Sequence, residues 1–295
     1  MLTFIVNPVA GNGYTMKIEP QLQAELTRRG LVCRFVHTDA PGHATQLARE
    51  AAQEEGCDGV IAVGGDGTSF EVACGLMNSG IPMGIIPAGT GNDFIKTVGI
   101  PRKPMDALDF LLTHSAHPVD VGGLNNRLFL NVCGTGFDVT VLDYTVAAKK
   151  ICRGILPYLV GLIRGIVHSR PVHVRLTADG ETQERDVLLC SIANGRFFGG
   201  GIPICPVAVP DDGLLDLIVI PHQPRWKIPL FLPSLLMGRV LRFSFTIHKR
   251  CTSVDLYAKG MRLNVDGEIL NLDEAHFTVL QGTLSLFWSP NEQEV

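Results

Sequence analysis

The chain has no excess of basic residues: 25 Lys and Arg stand against 29 Asp and Glu, a formal net charge of −4. Without that surplus there is no electrostatic footprint for a polyanion, so nucleic-acid binding is set aside. Charge of either sign is sparse, 18% of residues against 46% apolar, which excludes a disordered chain. No apolar run reaches the roughly 18–20 residues needed to span a bilayer. The first residues, Met1 to Asn7, carry no basic lead and no small-residue cleavage site, so a strand is expected there rather than a secretory signal. The 8 cysteines sit singly in apolar stretches such as Leu31-Val32-Cys33, Val72-Ala73-Cys74 and Leu188-Leu189-Cys190, with no Cys-x-x-Cys spacing. Buried reduced thiols in a cytoplasmic protein are expected, not disulfides. Three nucleotide signatures are missing too. The pattern G-x-x-x-x-G-K-[ST] is absent, no G-x-G-x-x-G follows a strand, and neither H-R-D nor D-F-G occurs in a protein-kinase context.

What is present fits two domains, for which 295 residues are ample. Residues 1–126 alternate strand and helix signals. Strands are expected at Leu2–Val6, Leu31–Val36, Val60–Val63 and Met83–Ile86, and helices at Lys17–Arg29, Ala44–Glu55 and Ser69–Met77, with a short one from Asn92 or Asp93. This rhythm predicts an α/β domain with a doubly wound parallel sheet, whose ligands bind beyond the carboxyl ends of the strands. Residues 127–295 read as a mostly antiparallel β-sandwich interrupted by helical stretches near Val141–His168 and Ile228–Val240. The cleft between the two domains is then the default active site.

Chemistry concentrates in the loops. Gly64-Gly65-Asp66-Gly67-Thr68 joins an apolar strand to a helix, which puts bare N–H groups and a helix N-terminus at one point, a geometry that attracts phosphate. A plain strand-to-helix turn would have Thr68 as N-cap and Glu71 completing a capping box. Three glycines around a carboxylate exceed what a turn needs, and Asp66 beside phosphate suggests Mg²⁺. Pro87-Ala88-Gly89-Thr90-Gly91-Asn92-Asp93 is a second such loop, and Asn7-Pro8-Val9-Ala10-Gly11 a weaker third. Read by themselves, Asp266-Gly267 is a hairpin turn, Asp211-Asp212-Gly213 a turn able to face a hard cation, and Asp120 a carboxylate ending a strand. Basic and apolar residues mix along Lys149–Val160 and around Arg225, Trp226, Lys227, Phe231, Met237 and Arg239. Core packing is the plain reading of both stretches, and an interfacial patch is the alternative.

In order along the chain, Asn-Pro-x-x-Gly, Gly-Gly-Asp-Gly-Thr and Gly-Thr-Gly-Asn-Asp-Phe resemble the diacylglycerol kinase catalytic domain. The likeness continues through Asn131–Asp138, Ala193–Gly201, Pro210–Asp216 and Val265–Glu268, almost the whole chain. Gly-Gly-Asp-Gly-Thr alone is shared with NAD kinases and phosphofructokinases; the later motifs narrow the resemblance to lipid kinases. It implies ATP contacts from Asn7, Pro8, Val9, Ala10, Gly11, Thr38, Gly64, Gly65, Asp66, Gly67, Thr68, Ser69, Phe70, Glu71 and Thr90. It implies Glu268 as general base, with Asp120 and Asp266 near it in a Mg²⁺–water network and Asp66 also catalytic, and a structural Mg²⁺ held by the Asp212 side chain and the carbonyls of Val209 and Leu214. The expected reaction is ATP-dependent phosphorylation of a membrane lipid hydroxyl, diacylglycerol first, by a cytoplasmic enzyme touching the anionic inner face of the membrane. A homodimer is left open. Phe70 departs from the family, which usually has Asn there. A NAD kinase and a nucleotide-binding regulatory protein impaired in catalysis stand as alternatives.

Overall fold

The computed structural model describes residues 1–149, 151 and 156–290. Two compact units divide the chain: Met1–Val121 together with the chain from Gln281 onward, and Gly122–Leu280. In the first unit β1 (Leu2–Val6), β2 (Cys33–His37), β3 (Gly59–Gly64) and β4 (Met83–Pro87) alternate with α1 (Tyr14–Arg28), α2 (His43–Gln53) and α3 (Asp66–Leu76). Short α4 (Asp93–Thr97) and α5 (Pro104–Thr113) follow. The strands are parallel in the order β2-β1-β3-β4. Every residue of β3 and β4 is buried, as expected of central strands covered on both faces.

α1 buries Ile18, Leu22 and Leu26, four residues apart, on its inward face. α2 presents Ala44, Ala48 and Ala51, and Gly75 of α3 meets them so closely that a Cβ there would lie 2.6 Å from the Ala48 Cβ. Small residues on both sides thus set the distance between these two helices. The last strand segment of the chain clusters with this unit: Leu286 pairs in parallel with Met83.

In the second unit come β5 (Ala116–Leu124, entering from the first), β6 (Arg127–Phe129), β7 (Val132–Gly136), α6 (Phe137–Lys149), α7 (Leu156–His168), β8 (Val172–Ala178) and β9 (Glu181–Ala193). These are followed by β10 (Phe197–Phe198), β11 (Ile202–Pro203), β12 (Leu215–Pro221), α8 (Ile228–Leu236), β13 (Ile247–Cys251), β14 (Ser253–Val265) and β15 (Glu268–Phe287, returning to the first unit at Gln281). Its strands pair antiparallel, and β9 and β14 each change partners along their length. β9 pairs with β8 through Val187 and with β7 and β12 beyond it; β14 pairs with β8 up to Tyr257 and with β7 at Asn264 and Val265.

β12 alternates between two cores. Leu215, Leu217 and Val219 join one with Phe129 and Phe277, while Ile218 and Ile220 join another with Ile204, Ile228 and Leu235. Several expected strands differ in extent. The expected strand at Arg127–Val132 is two, β6 and β7; Ser244–His248 is displaced to β13; and the four expected at Ser253–Tyr257, Met261–Val265, His276–Leu280 and Leu284–Trp288 are two long ones, since pairing on both sides carries a strand through residues that look like breaks. Of the stretch Lys149–Val160, Lys150 and residues 152–155 lie outside the described residues.

Candidate functional site

In the first unit the chain runs from β1 outward to β2, then back across β1 to β3. That reversal opens a crevice at the carboxyl ends of β1 and β3, where ligands bind in sheets of this kind. Asn7 follows β1 and Gly65–Thr68 follow β3, so the topology brings two of the three candidate loops together. Asn7 donates its backbone N–H to Val63 O (3.1 Å) and its side-chain Nδ2 to Thr68 Oγ1 (3.0 Å), and its Oδ1 accepts from Val9 N (3.2 Å). The Pro87–Asp93 loop closes on the Gly64–Thr68 loop through Gly64 O, which accepts from Ala88 N (2.7 Å) and Gly89 N (3.2 Å).

Two glycines are required by contact. A Cβ on Gly11, whose φ is +58°, would lie 2.1 Å from Ala88 O, and a Cβ on Gly89 would lie 2.5 Å from the Gly65 Cα. The three loops therefore meet backbone to backbone.

The helix after Gly65 starts one turn earlier than expected. α3 begins at Asp66, so Thr68 lies inside it and there is no capping box. Thr68 is buried and serves Asn7 instead. Glu71 turns to the neighbouring helix, where its Oε2 accepts from Ala44 N (3.1 Å) in the first turn of α2. Asp66 Oδ1 accepts from Asp93 N (2.6 Å), and Lys96 Nζ binds Asp93 Oδ1 (2.6 Å). Burial, and after it the charge of Asp93, pushes the Asp66 carboxyl above its ordinary range, while N–H groups of Asp93, Asn92 and Phe94 pull it back. Asn92 is left-handed (φ 49°) and ties its own loop, accepting from Gly89 N (3.2 Å) and donating to Gly89 O (2.8 Å).

The sequence reading names this loop, Asn92 and Asp93 included, and takes Thr90 from it as an ATP contact; Thr90 is exposed. Lys96 lies beyond the loop it named. An Asp and Lys three apart just after Gly-Asn was the available signal. Of the remaining candidates in this unit, Val9 is exposed and Thr38 is buried, donating its N–H to Val6 O (2.9 Å). Ser69 is buried, and Pro8, Ala10, Gly64 and Phe70 line or flank the same turns. Asp120 is not a solvated strand end: it lies within β5, is buried, and its Oδ1 accepts from Gly282 N (2.8 Å).

The second unit holds Asp266 and Glu268. Asp266 (φ 46°) and Gly267 (φ 99°) form the tight turn between β14 and β15, as Asp-Gly predicts. The Asp266 carboxylate also accepts from Leu130 N (2.6 Å), Asn131 N (3.0 Å) and Val132 N (2.9 Å). Glu268 opposes Val265 at the head of the hairpin and is exposed.

Nearby, Asp138 on α6 is fully enclosed and accepts from Asn264 Nδ2 (3.3 Å), and burial raises its carboxyl to about 6. In the Asp211-Asp212-Gly213 turn, Asp212 Oδ1 accepts from Leu214 N (3.0 Å) and Oδ2 is ion-paired with Arg250. Asp212 and Leu214 thus share one turn, and Val209 precedes it.

Residues 1–124 match the diacylglycerol kinase catalytic domain, and residues 131–288 match the YegS C-terminal NAD kinase beta sandwich-like domain. The chain belongs to the diacylglycerol kinase family. A diacylglycerol kinase of Mycobacterium tuberculosis is 32% identical over 88% of both chains, and one of Bacillus subtilis is 31% identical over 90% of this chain and 88% of its own. A Pseudomonas aeruginosa protein described as "Probable lipid kinase YegS-like" is 37% identical over 87% of this chain and 84% of its own. A solved diacylglycerol kinase structure from Bacillus anthracis superimposes with a TM-score of 0.73 at 28% identity, over 98% of this chain and 97% of that one.

The chain is accordingly a lipid kinase, and membership in a kinase family implies ATP as phosphoryl donor. Both fold classes read from the sequence, the α/β N-terminal domain and the β-sandwich C-terminal one, agree with these relatives.

Proposed function

We propose that this lipid kinase transfers the γ-phosphoryl group of ATP to the hydroxyl of diacylglycerol, giving phosphatidic acid. The observation that carries this reading is the meeting of the Asn7, Gly65–Thr68 and Gly89 loops at the reversal of strand order, in a chain whose curated relatives include diacylglycerol kinases. Backbone N–H groups at the start of α3 face the triphosphate, and the Asn7–Thr68 bond holds the first two loops in register. Glu268, exposed at the head of its hairpin, takes the proton of the lipid hydroxyl, while Asp266 holds that hairpin in place.

Mg²⁺ held near Asp66 would supply charge neutralisation at the phosphates. Asp66 suits it: its carboxyl is raised by burial and by Asp93, and a divalent cation relieves both effects. The oxygen donors Val209, Asp212 and Leu214 also suit a hard cation, but Arg250 already meets the Asp212 charge, so no role in turnover is assigned to that turn.

The acceptor lies in a bilayer, and the enzyme meets it through the outer faces of α7 and of the segment leading into α8. Leu156, Leu159, Ile163 and Val167 form an exposed stripe on α7, and Trp226, Leu230 and Met237 are exposed around α8. Arg225 Nη2 donates to Ser169 O (3.1 Å), joining the end of α7 to the Trp226 turn, and the Lys227 ammonium lies 5.4 Å from the Trp226 ring. Apolar rings beside cations are suited to an anionic interface. Phe231 does not belong to this face: it packs on Phe243 and Phe245 and lines an apolar pocket with Leu188 and Ile220.

Incubation with γ-labelled ATP, Mg²⁺, diacylglycerol in mixed micelles and NAD tests the reaction. Labelled phosphatidic acid is expected. Labelled NADP in its place would establish a NAD kinase, and the absence of any labelled product would establish a nucleotide-binding protein without turnover.

A further inference from the structure

Among the described residues, three side chains of three different ligand types converge in the second unit. The Cys205 thiol, a carboxylate oxygen of Asp216 and a ring nitrogen of His248 all lie within 4.8 Å of one another. Each comes from a separate element, and each is placed by the backbone. In the β12–β13 ladder Asp216 opposes Arg250 and Ile218 opposes His248, so Asp216 and His248 are diagonal neighbours on one face. His248 Nε2 lies 2.5 Å from Asp216 Oδ1. Cys205 approaches the same carboxylate from the loop after β11. That loop is pinned by Cys205 N to Arg196 O (3.2 Å), by Ala208 N to Cys205 O (3.1 Å), and by Arg196 Nε to Ala208 O (2.8 Å). Arg250, on the same strand face, is engaged by Asp212.

A simple His–Asp pair would account for two of these groups. The Cys205 thiol, packed beside Ile204 and Ala208, hydrogen-bonds the same Asp216 carboxylate, so all three ligand types meet at one point. Cys205 is 0% exposed and Asp216 2%, while the His248 side chain is 28% exposed and leaves an entry path. Ligand atoms around a tetrahedral Zn²⁺ at about 2.0–2.3 Å are roughly 3.3–3.8 Å apart, so the cluster is within about 1 Å of that geometry. One sulfur, one nitrogen and one oxygen donor favour Zn²⁺ over Mg²⁺, which takes an all-oxygen shell.

We propose that Cys205, Asp216 and His248 form a Zn²⁺ site with a fourth, water-filled position on the His248 side. Binding replaces the Cys205 S–H proton, which passes to solvent, so that thiolate and carboxylate together balance the ion's charge. The ion ties the Cys205 loop to β12 and β13 and stabilises that layer of the unit.

The full chain, stripped with chelator and titrated with Zn²⁺ alone, tests the site by equilibrium dialysis with elemental analysis. One ion per chain is expected, retained against excess Mg²⁺, with affinity reduced at least about tenfold in His248→Gln. Co²⁺ in place of Zn²⁺ is expected to give a thiolate charge-transfer absorption that Cys205→Ser abolishes. Wild-type protein that takes up no Zn²⁺, or His248→Gln and Cys205→Ser proteins that bind it as tightly as wild type, would overturn the assignment. Should Cys205→Ser not fold, the wild-type Co²⁺ spectrum decides alone: absence of thiolate absorption rejects the site. These readouts are of metal binding and do not depend on which lipid is phosphorylated.

Discussion

The Asp138 carboxyl shows how burial sets a single residue's chemistry. Its Oδ1 has no hydrogen-bond partner among the described residues, and burial raises the group to about 6. The folded chain therefore holds a proton that the unfolded chain releases near the ordinary carboxylate value. Folding stability from this group is fully present below about 4 and falls as pH rises through about 6. Asp138→Asn removes the dependence. Its stability advantage over wild type is expected to grow by about 2–3 kcal/mol between pH 4 and pH 7, read from urea midpoints at each pH.

Gly89 makes the opposite case, in which space rather than charge decides. A methyl group there meets the Gly65 Cα and the Asn92 Oδ1, so Gly89→Ala is expected to cost about 1–3 kcal/mol and to raise KM for ATP by parting the two loops. An unchanged KM and melting temperature would show that the loops are not held by this contact. Glu268 is exposed at the head of the hairpin. Glu268→Gln is expected to lower kcat about 10²–10⁴-fold with an unchanged melting curve, and a near-normal kcat would remove it from the base role.

At the scale of elements, the β14–β15 hairpin depends on one carboxylate accepting from three consecutive backbone N–H groups of the β6–β7 connection. Bonds of this charge-assisted kind are worth about 1.5–3 kcal/mol each, and leaving the donors unmade is costly. Asp266→Ala is expected to lose at least about 3 kcal/mol. Asp266→Asn should fare little better, because its amide turns a donor toward donors. An Asp266→Asn chain as stable as wild type would make Asp266 a chemical group only, with no anchoring role.

Elements also account for where residue-level expectation went astray. Thr68 and Glu71 have the spacing of a capping box, yet α3 begins at Asp66 and each side chain serves a different partner, Asn7 and the start of α2. Local spacing names a motif, while the neighbouring helix and loop decide which hydrogen bonds are made.

Across the whole molecule, a formal charge of −4 coexists with cations gathered beside exposed apolar residues. Arg225, Lys227 and Trp226 stand together, with the apolar stripe of α7 joined to them through Ser169. On the proposed reading, attraction to an anionic membrane is local and does not need a basic protein. Trp226→Ala combined with Lys227→Glu is expected to weaken binding to phosphatidylserine vesicles about tenfold or more in a sedimentation assay, and added salt should narrow the difference. Vesicle binding unchanged by the double substitution would place the docking face elsewhere. No helix among the described residues is long and apolar enough to cross a membrane.

By itself the sequence determined the alternation of strand and helix in the first part, the Asp-Gly hairpin, and the loops that carry the family likeness. These depend on local rules, namely burial periodicity, glycine's access to left-handed backbone, and order along the chain. Only the tertiary structure decided what those loops touch. It closed Gly89 onto Gly65, gave Asp66 to the Asp93 N–H, and pinned Asp120 within a strand to Gly282. It also brought Cys205, Asp216 and His248 to one point from three separate segments. No spacing rule reports such a meeting, because it is set by strand register and by which residue lies across the ladder.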